Sequence, residues 1–391
     1  MTENKIIPNL SGVRTLVIRE LASLADYAQP WNDLALKAPQ QVPMLSYAWV
    51  ASYLEHQLEP GESWLCVLAL DDNQLIGVLP VIITPSKILW LNRPVLRTPS
   101  NLHTFCVDFL VEPGLEAVII PLLLSALQKS IRGWSTLKLL RIRDNSPTLT
   151  VLDRGIPRVF VTKDVGGRGA YLTTTGDIEE FKAGLGWNFR KNLRKCNNRL
   201  ERLGDFRWWS DDGSTSLTER FRSFIDLEAS GWKGRAGTAI KMNDDLMKFY
   251  SALVTRLAEA GWLNWQFLEI DGRPIAASLG VKFGRAFCGF KLGFDEELAK
   301  SSPGTVLFEK LIENCFADNK IDEVNLISDA SWFNDWQVQY RSYFDVCLYP
   351  ARPLPVLFGV LPQALRSMAA KIPAIRWLYH RLRSLAGRSE K

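Results

Sequence analysis

The sequence predicts an α+β chain of two tandem domains, each a mixed, mainly antiparallel sheet with flanking helices, followed by a basic helical C-terminal tail. Three observations predict it. Two hairpins recur, one turning at Asp71-Asp72-Asn73 and one at Asp271-Gly272-Arg273-Pro274. Each is followed by a helix introduced by Pro-Gly, at Pro113-Gly114 and at Pro303-Gly304. Each of these helices then leads to one more strand. At 391 residues, 47% hydrophobic and 23% charged, the chain is long enough to bury more than one core.

Taken in order, residues 13–19 alternate like a strand, and 45–58 have helical spacing with Ser46 as N-cap. Residues 64–70 and 75–83 are the arms of the first hairpin. A Pro-rich stretch (Pro85, Pro94, Pro99) leads to a short strand at 107–111, a helix at 113–130 and a strand at 137–142. The second half repeats the order. A helix at 245–260 precedes strands at 265–270, 275–283 and 286–292, a helix begins at Pro303, and 323–327 is the strand after it. The two hairpins overlay at a constant offset of 200, which sets Asp71 on Asp271, Leu79 on Leu279 and Val81 on Val281. Domains are expected at 1–150 and 151–350, the second including a basic helix at 187–204, with the tail at 351–391. Gly166-Gly167-Arg168-Gly169 reads as a hairpin turn between two strands. A meander, then a helix, then a strand parallel to a meander strand makes a mixed sheet with a crossover helix. Its ligand cleft is expected where the strand feeds the helix.

Composition excludes several classes. No stretch reaches the roughly 18 apolar residues of a membrane span. Residues 1–10 lack a basic region followed by an apolar one, so no secretory signal is expected. The six cysteines form no C-x-x-C, and the three histidines fall in no metal-binding pattern, so neither a disulfide framework nor a metal is expected. There is no G-x-S-x-G elbow for a serine nucleophile. These features favour the cytoplasm.

The segment best suited to chemistry runs from 287 to 312. A strand leads through Lys300-Ser301-Ser302-Pro303-Gly304-Thr305 into a helix. Ser302 suits the N-cap and Pro303 the first helical position. Gly304 has no Cβ, so an anion can approach the backbone, and a helix start offers unpaired N–H groups and a positive dipole end. Read locally, the same residues also describe an ordinary capped helix.

The run FLEIDGRPIAASLGVKFGRAFCGFKLGFDEELAKSSPGTVLFEKLIENCF resembles the second half of the acetyltransferases associated with bacterial cellulose and exopolysaccharide synthesis. These CelD/BcsL-type proteins belong to the GNAT acyltransferase superfamily, and the Fem aminoacyltransferases, with two tandem GNAT-like domains, are more distantly similar. LEASGWKGRAGTAI, FRKNLRKCNNRLERLG and LDDNQLIGVLPV support the resemblance, which spans most of residues 12–350. It implies two tandem GNAT-like domains and transfer of an acyl group, foremost acetyl, from acyl-CoA to an amine or hydroxyl of a sugar-containing acceptor. Lys300, Ser301, Ser302, Gly304 and Thr305 would hold the pyrophosphate of the acyl-CoA. The family's loop begins with Gln or Arg and has two small residues later, whereas here Gly304 is the one glycine. After the next strand the family reads Gly-Asp, two residues, then Tyr-Lys. This chain has Ser328-Asp329-Ala330-Ser331-Trp332-Phe333, so Asp329 is kept while Trp332 and Phe333 replace Tyr and Lys.

Amine acyl transfer needs a proton removed and an oxyanion stabilised. Glu228 and Asp329 are the candidate bases. Trp232, Lys233 and Arg235 are candidate acceptor contacts, and the same cluster also reads as a helix-end salt bridge beside a packed tryptophan. Between 187 and 204, Arg190, Lys191, Arg194, Lys195, Arg199 and Arg202 face the single acid Glu201. Like charges at i, i+4 repel, so Arg190 and Arg194 suit an anionic partner, or form a solvated cationic face. No nucleic-acid reading motif accompanies them.

From 351 onward, eight basic residues meet only Glu390, so the tail carries about +7 and the rest of the chain about −2 of the net +5. Basic and apolar residues with Trp377 suit peripheral contact with an anionic membrane, or a helix docked on the body. Two other readings of function stay open. One is an accessory protein of polysaccharide synthesis with a degenerate fold, which Trp332-Phe333 would favour. The other is a Fem-like transferase using aminoacyl-tRNA.

Overall fold

A computed structural model describes residues 12–363, apart from the side chains of Trp232 and Lys233. Ser46 stands in extended backbone just before a helical run, and its hydroxyl accepts from the Trp49 N–H at 3.3 Å. Such a cap contributes about 1 kcal/mol. In the first half, β1 (Val13–Ile18), α1 (Leu21–Ala25), α2 (Ala28–Lys37) and α3 (Tyr47–His56) come first. The hairpin β2 (Ser63–Asp71) and β3 (Gln74–Thr84) follows, then the short strands β4 (Lys87–Ile88), β5 (Leu91–Asn92), β6 (Val95–Arg97) and β7 (Leu110–Val111). The half ends with α4 (Glu116–Ser130), β8 (Thr136–Arg143) and α5 (Pro147–Asp153).

The second half begins with β9 (Val159–Thr173), α6 (Ile178–Gly184), α7 (Trp187–Glu201), β10 (Phe206–Asp211), α8 (Leu217–Ser230), α9 (Trp232–Arg235) and α10 (Asp244–Glu259). It continues with β11 (Leu263–Ile270), β12 (Arg273–Phe283), β13 (Ala286–Phe294), α11 (Pro303–Ala317), β14 (Glu323–Asn325), β15 (Gln339–Pro350) and the short α12 (Pro353–Pro355).

One sheet of thirteen strands runs through both halves in the order β1-β2-β3-β6-β8-β15-β9-β14-β13-β12-β11-β10, with β7 beside β3. The order is nearly a palindrome. β1, β2, β3, β6, α4 and β8 match β10, β11, β12, β13, α11 and β14. Both β6–β8 and β13–β14 pair in parallel across their helix, as the crossover reading expects. β15 returns to the middle and pairs antiparallel with β8 and β9, so the last strand among the described residues bridges the halves.

Each face of the sheet is closed by helices. On one face α3 and α10 pack together. Trp49 meets Phe249 at 6.3 Å, and Arg256 bonds Glu55 at 2.7 Å, so one apolar core spans both halves. On the other face α4 covers the first hairpin, while α7 and α11 cover the second. In α7 the stripe Phe189, Leu193, Cys196 and Leu200 is turned inward and its cations outward, which is the expected amphipathic arrangement.

Three details differ from expectation. The hairpins superpose at an offset of 199, not 200. Both bulge at the same place, between Ala69 and Leu70 and between Leu268 and Glu269, so the partners of Val67 and Leu79 are Gln266 and Ser278. A one-residue slip turns every side chain to the other face. Leu79 accordingly lies under α4, while Leu279 lies on the α10 face. Residues 166–169 make no hairpin turn. They lie inside β9, where Gly166 is the extra residue of a bulge opposite Tyr343 and Phe344. A Cβ at Gly166 would strike the Asp345 carboxylate, and one at Gly169 the Tyr343 ring, so these glycines make room for β15. Pro113-Gly114 precedes α4 in a turn, with Gly114 at φ +92°, whereas Pro303-Gly304 is inside α11.

Asp108 is 1% exposed and accepts from the Ser146 hydroxyl and, at 2.6 Å, from the Phe109 N–H. Burial pushes its carboxyl up from 3.8 to about 6, against the pull of these hydrogen bonds. The folded chain thus keeps a proton that the unfolded chain has released. This contribution is full below the unfolded value and is lost as pH rises through about 6, some 3 kcal/mol in order of magnitude. Asp108→Asn should therefore be more stable than wild type at pH about 8 and near equal at pH about 4. Urea midpoints across that range check it, and an unchanged pH slope refutes it.

Most of the expected basic tail, 364–391, lies outside the described residues. Its described start exposes Leu357, Phe358 and Leu361, while Gln363 accepts from Thr162 and Tyr349 at 2.8 and 2.9 Å. Among the described residues, no helix is long and apolar enough to cross a membrane.

Candidate active site

β13 and β14 are paired only from Ala286–Glu323 to Cys288–Asn325, and then they part. β13 continues along β12 to Phe294, while the chain after β14 turns to β9, where Leu326 N–H donates to Ala170 and Ala170 N–H to Ser328. Ile327 holds this turn at φ +62°, a genuine outlier for a β-branched residue. It is fixed by Asn325, which accepts from its N–H at 3.0 Å, and by Arg141, which donates to its carbonyl at 3.2 Å.

The parting strands leave a cleft of about 680 Å³ at the start of α11, where the sequence reading placed it. Ser278 and Gly289 form part of its floor, with Phe287, Phe308, Leu311, Trp332 and Phe333 among its walls. Trp332 and Phe333 pack on Phe308 at 5.1 and 6.1 Å, so the residues that depart from the family pattern build the aromatic side of the cleft. Across the cleft, Gly289 pairs with Gly280 and Lys291 with Leu279, so Phe290 is the extra residue of a bulge in β13. Bulges beside sites re-aim the backbone and free its groups from the ladder. Phe290 packs tilted against Trp49 of α3 at 4.6 Å, and Lys291 sits 5.9 Å from the Tyr250 ring. Both also line the cleft, while Trp49 and Tyr250 are buried in the core on the α3–α10 face.

Pro303 is the first residue of α11, and Gly304, Thr305 and Ser302 line the cleft. Ser302 does not cap the helix with its side chain. Its backbone is left-handed (φ +47°, ψ 54°) because a 3₁₀ turn, Glu296–Ser301, runs straight into α11, and side-chain capping needs extended backbone. Gly304 is a close-packing residue as well as an opening. A Cβ there would lie 3.0 Å from Leu292 and 3.2 Å from Phe294. Ser301 is buried, and Lys300 is exposed with its carbonyl taken by Arg199 at 2.7 Å.

The expected carboxylates are not brought together. Glu228 is 3% exposed in α8, and its carboxylate accepts from the Ile240 N–H at 2.9 Å. It lies across β13 from the main cleft, in a small hollow that shares Leu292 and Phe294 with it. Asp329 stands at the cleft mouth between Ser328 and Ala330, largely exposed and 3.2 Å from Arg168. α9 places Trp232, Lys233 and Arg235 just past α8, and Arg235 pairs with Glu296 at 2.6 Å. Arg190 and Arg194 line a different groove, between α6, α7 and α11, together with the acids Glu179, Glu201 and Glu309.

Sequence reasoning missed a pair on the α3–α10 face, where His103 Nδ1 lies 3.0 Å from the Tyr250 hydroxyl. The two residues are 147 positions apart and belong to different halves, so no spacing signals them. Burial pushes the Tyr250 hydroxyl pKa up, and the Glu228 charge adds to it. All six cysteines are unpaired, and burial holds Cys106 and Cys315 up at about 12. Among the described residues, no group of His, Cys, Asp or Glu is placed to hold a metal.

Residues 188–335 match the acetyltransferase (GNAT) domain family, a span that includes β13, α11 and β14. No curated protein sequence matches the chain. Among solved structures, FemX is similar with a TM-score of 0.59 at 10% identity, over 89% of this chain and 99% of FemX. A conserved protein of unknown function from Bacteroides thetaiotaomicron gives 0.53 at 14% identity, over 85% of this chain and 100% of that one. The C-terminal domain of a putative lysylphosphatidylglycerol synthetase from Agrobacterium fabrum gives 0.53 at 9%, over 87% and 96%. At these identities the likeness is one of fold. The second half of the chain thus matches the GNAT acetyltransferase domain family over residues 188–335, within a two-part α+β fold similar to that of FemX.

Proposed function

We propose that the protein is an acyl-CoA-dependent acyltransferase whose donor lies in the cleft between β13 and β14. The observation that carries this reading is the cleft itself, an opening between diverging parallel strands that ends on the start of a fifteen-residue helix. The Gly304 amide and the positive end of α11 suit a pyrophosphate, and the apolar walls suit the rest of the donor. The acceptor is an amine or hydroxyl, of a sugar-containing molecule on the sequence resemblance. It enters at the cleft mouth, where Asp329 stands between Ser328 and Ala330.

Acyl transfer from a thioester forms a C–N or C–O bond, breaks the C–S bond, and passes the acceptor's proton to solvent or the released thiolate. Within the chain, Glu228 takes the acceptor's proton, directly or through one water. Backbone groups freed at the Phe290 bulge face the developing oxyanion. Asp329 orients the acceptor at the mouth. Buried thiols with raised pKa values favour direct attack over a cysteine-bound intermediate.

Calorimetric titration with acetyl-CoA, with free CoA as comparison, tests the reading. Saturable micromolar binding is expected. Absence of binding by the folded protein moves the assignment to an aminoacyl-tRNA donor, which the exposed cations of α7 (Arg190, Lys191, Arg194, Lys195, Arg199) favour.

A further inference from the structure

Five strand ends share one edge of the sheet. Val95 pairs with Thr84 and Thr136, Leu137 with Leu348, and Pro350 with Val159, so β6, β8 and β9 begin where β3 and β15 end. The hairpin β4–β5 carries the β3–β6 ladder past this edge, through a bond from the Arg93 N–H to the Ser86 carbonyl at 2.8 Å. Its two-residue turn is Leu89-Trp90. Leu89, Trp90 and Leu91 are 59%, 79% and 37% exposed. Leu89 holds φ +56°, where such a turn favours Gly or Asn. Folding alone therefore gives no reason for apolar residues at this tip.

The same edge is basic. Lys87 and Arg93 flank the tip, Arg132 lies in the turn before β8, Arg352 follows β15 and Arg158 precedes β9. A Cβ at Gly133 would lie 2.9 Å from the Arg93 guanidinium, so Arg93 and the Arg132 turn are neighbours. Among the described residues, no carboxylate pairs with any of these five cations. Nearby acids are taken by other partners, Glu62 by Arg97 at 2.8 Å and Asp153 by Lys163 at 2.7 Å. No acid occurs anywhere from 74 to 107.

From β3 to β9 the strand ends span about 19 Å. A row of cations that long, beside a projecting tryptophan and two leucines, is complementary to an extended anionic surface with an apolar interior. We infer that this edge docks on a bilayer rich in anionic lipid. Leu89, Trp90 and Leu91 enter the boundary between headgroups and acyl chains, and the five cations meet lipid phosphates. This contact is separate from the basic tail and independent of the donor site.

The full chain is sedimented with vesicles of phosphatidylglycerol and phosphatidylcholine in equal parts, and with vesicles of phosphatidylcholine alone. Binding should be at least about tenfold tighter to the anionic vesicles and should weaken as salt rises. Leu89→Asn with Trp90→Gly gives the turn residues that suit its backbone, so the variant should melt no lower than wild type. It should lose at least tenfold in vesicle affinity. Arg132→Gln and Arg158→Gln should each weaken binding about fivefold. Failure of the wild type to bind anionic vesicles overturns the inference. Unchanged binding by the folded turn variant also overturns it, because another segment then holds the membrane. A wild-type dimer that the turn variant converts to monomer overturns it too, since the tip would then be a contact between copies of the chain.

Discussion

Glu228→Gln should lower kcat by about a hundredfold or more while leaving donor affinity near wild type. The substitution is close to isosteric, and the glutamine carbonyl can still accept from the Ile240 N–H that now bonds the carboxylate at 2.9 Å. What it removes is the charge and the ability to take a proton. A positioned base contributes on the order of 10² to 10⁴ in rate, so the loss belongs in kcat. Glu228 is buried beside the end of β13, where a Cβ at Gly293 would lie 2.8 Å from its backbone nitrogen. That close approach packs α8 against the end of β13, in the hollow that shares Leu292 and Phe294 with the cleft. Steady-state kinetics with an amine acceptor, read together with calorimetric donor binding, check the prediction. Unchanged kcat in a folded variant would reduce Glu228 to a brace between α8 and the Ile240 turn.

The site is legible in the sequence where it is local. Strand, loop and helix from 287 to 312 lie in one stretch, and Pro303 and Gly304 mark the helix start by their own backbone chemistry. The cleft therefore appears where the strand feeds the helix. Hairpins are legible for the same reason, since alternation and turn residues are short-range signals.

What the sequence conceals is set by partners far along the chain. Gly166 to Gly169 look like a turn, but Gly166 and Gly169 are small because Asp345 and Tyr343 of β15 press on them, about 175 residues later. The repeat shows a similar limit. Identical residues at Leu79/Leu279 and Val81/Val281 favour an offset of 200, yet matched bulges make it 199 and turn those pairs to opposite faces. Only at the true offset does the contrast between Leu79 and Val81 in a packed core and Ser278 beside a cleft and Gly280 under the Phe287 ring become visible. His103 and Tyr250 meet because α3 and α10 join the halves, a fact of tertiary packing alone.

Gly304→Val should abolish measurable donor binding, a loss of at least about a hundredfold, and should destabilise the fold by about 1–3 kcal/mol through overpacking. The reason is distance. Even a bare Cβ at this position would sit 3.0 Å from Leu292 and 3.2 Å from Phe294, so β13 or the first turn of α11 must give way. Valine adds two methyl groups to that contact. Displacing the turn moves the Gly304 amide, the Thr305 and Val306 amides being taken by the Ser302 carbonyl at 3.0 and 3.1 Å, from the place where a phosphate can meet it. Gly304→Ala separates the two effects, because its smaller intrusion should weaken binding about tenfold at little cost in stability. Calorimetry with CoA and urea unfolding of both variants check this. Should Gly304→Val remain folded and bind CoA like wild type, the start of α11 is not the anion site and the phosphates must be held by another element.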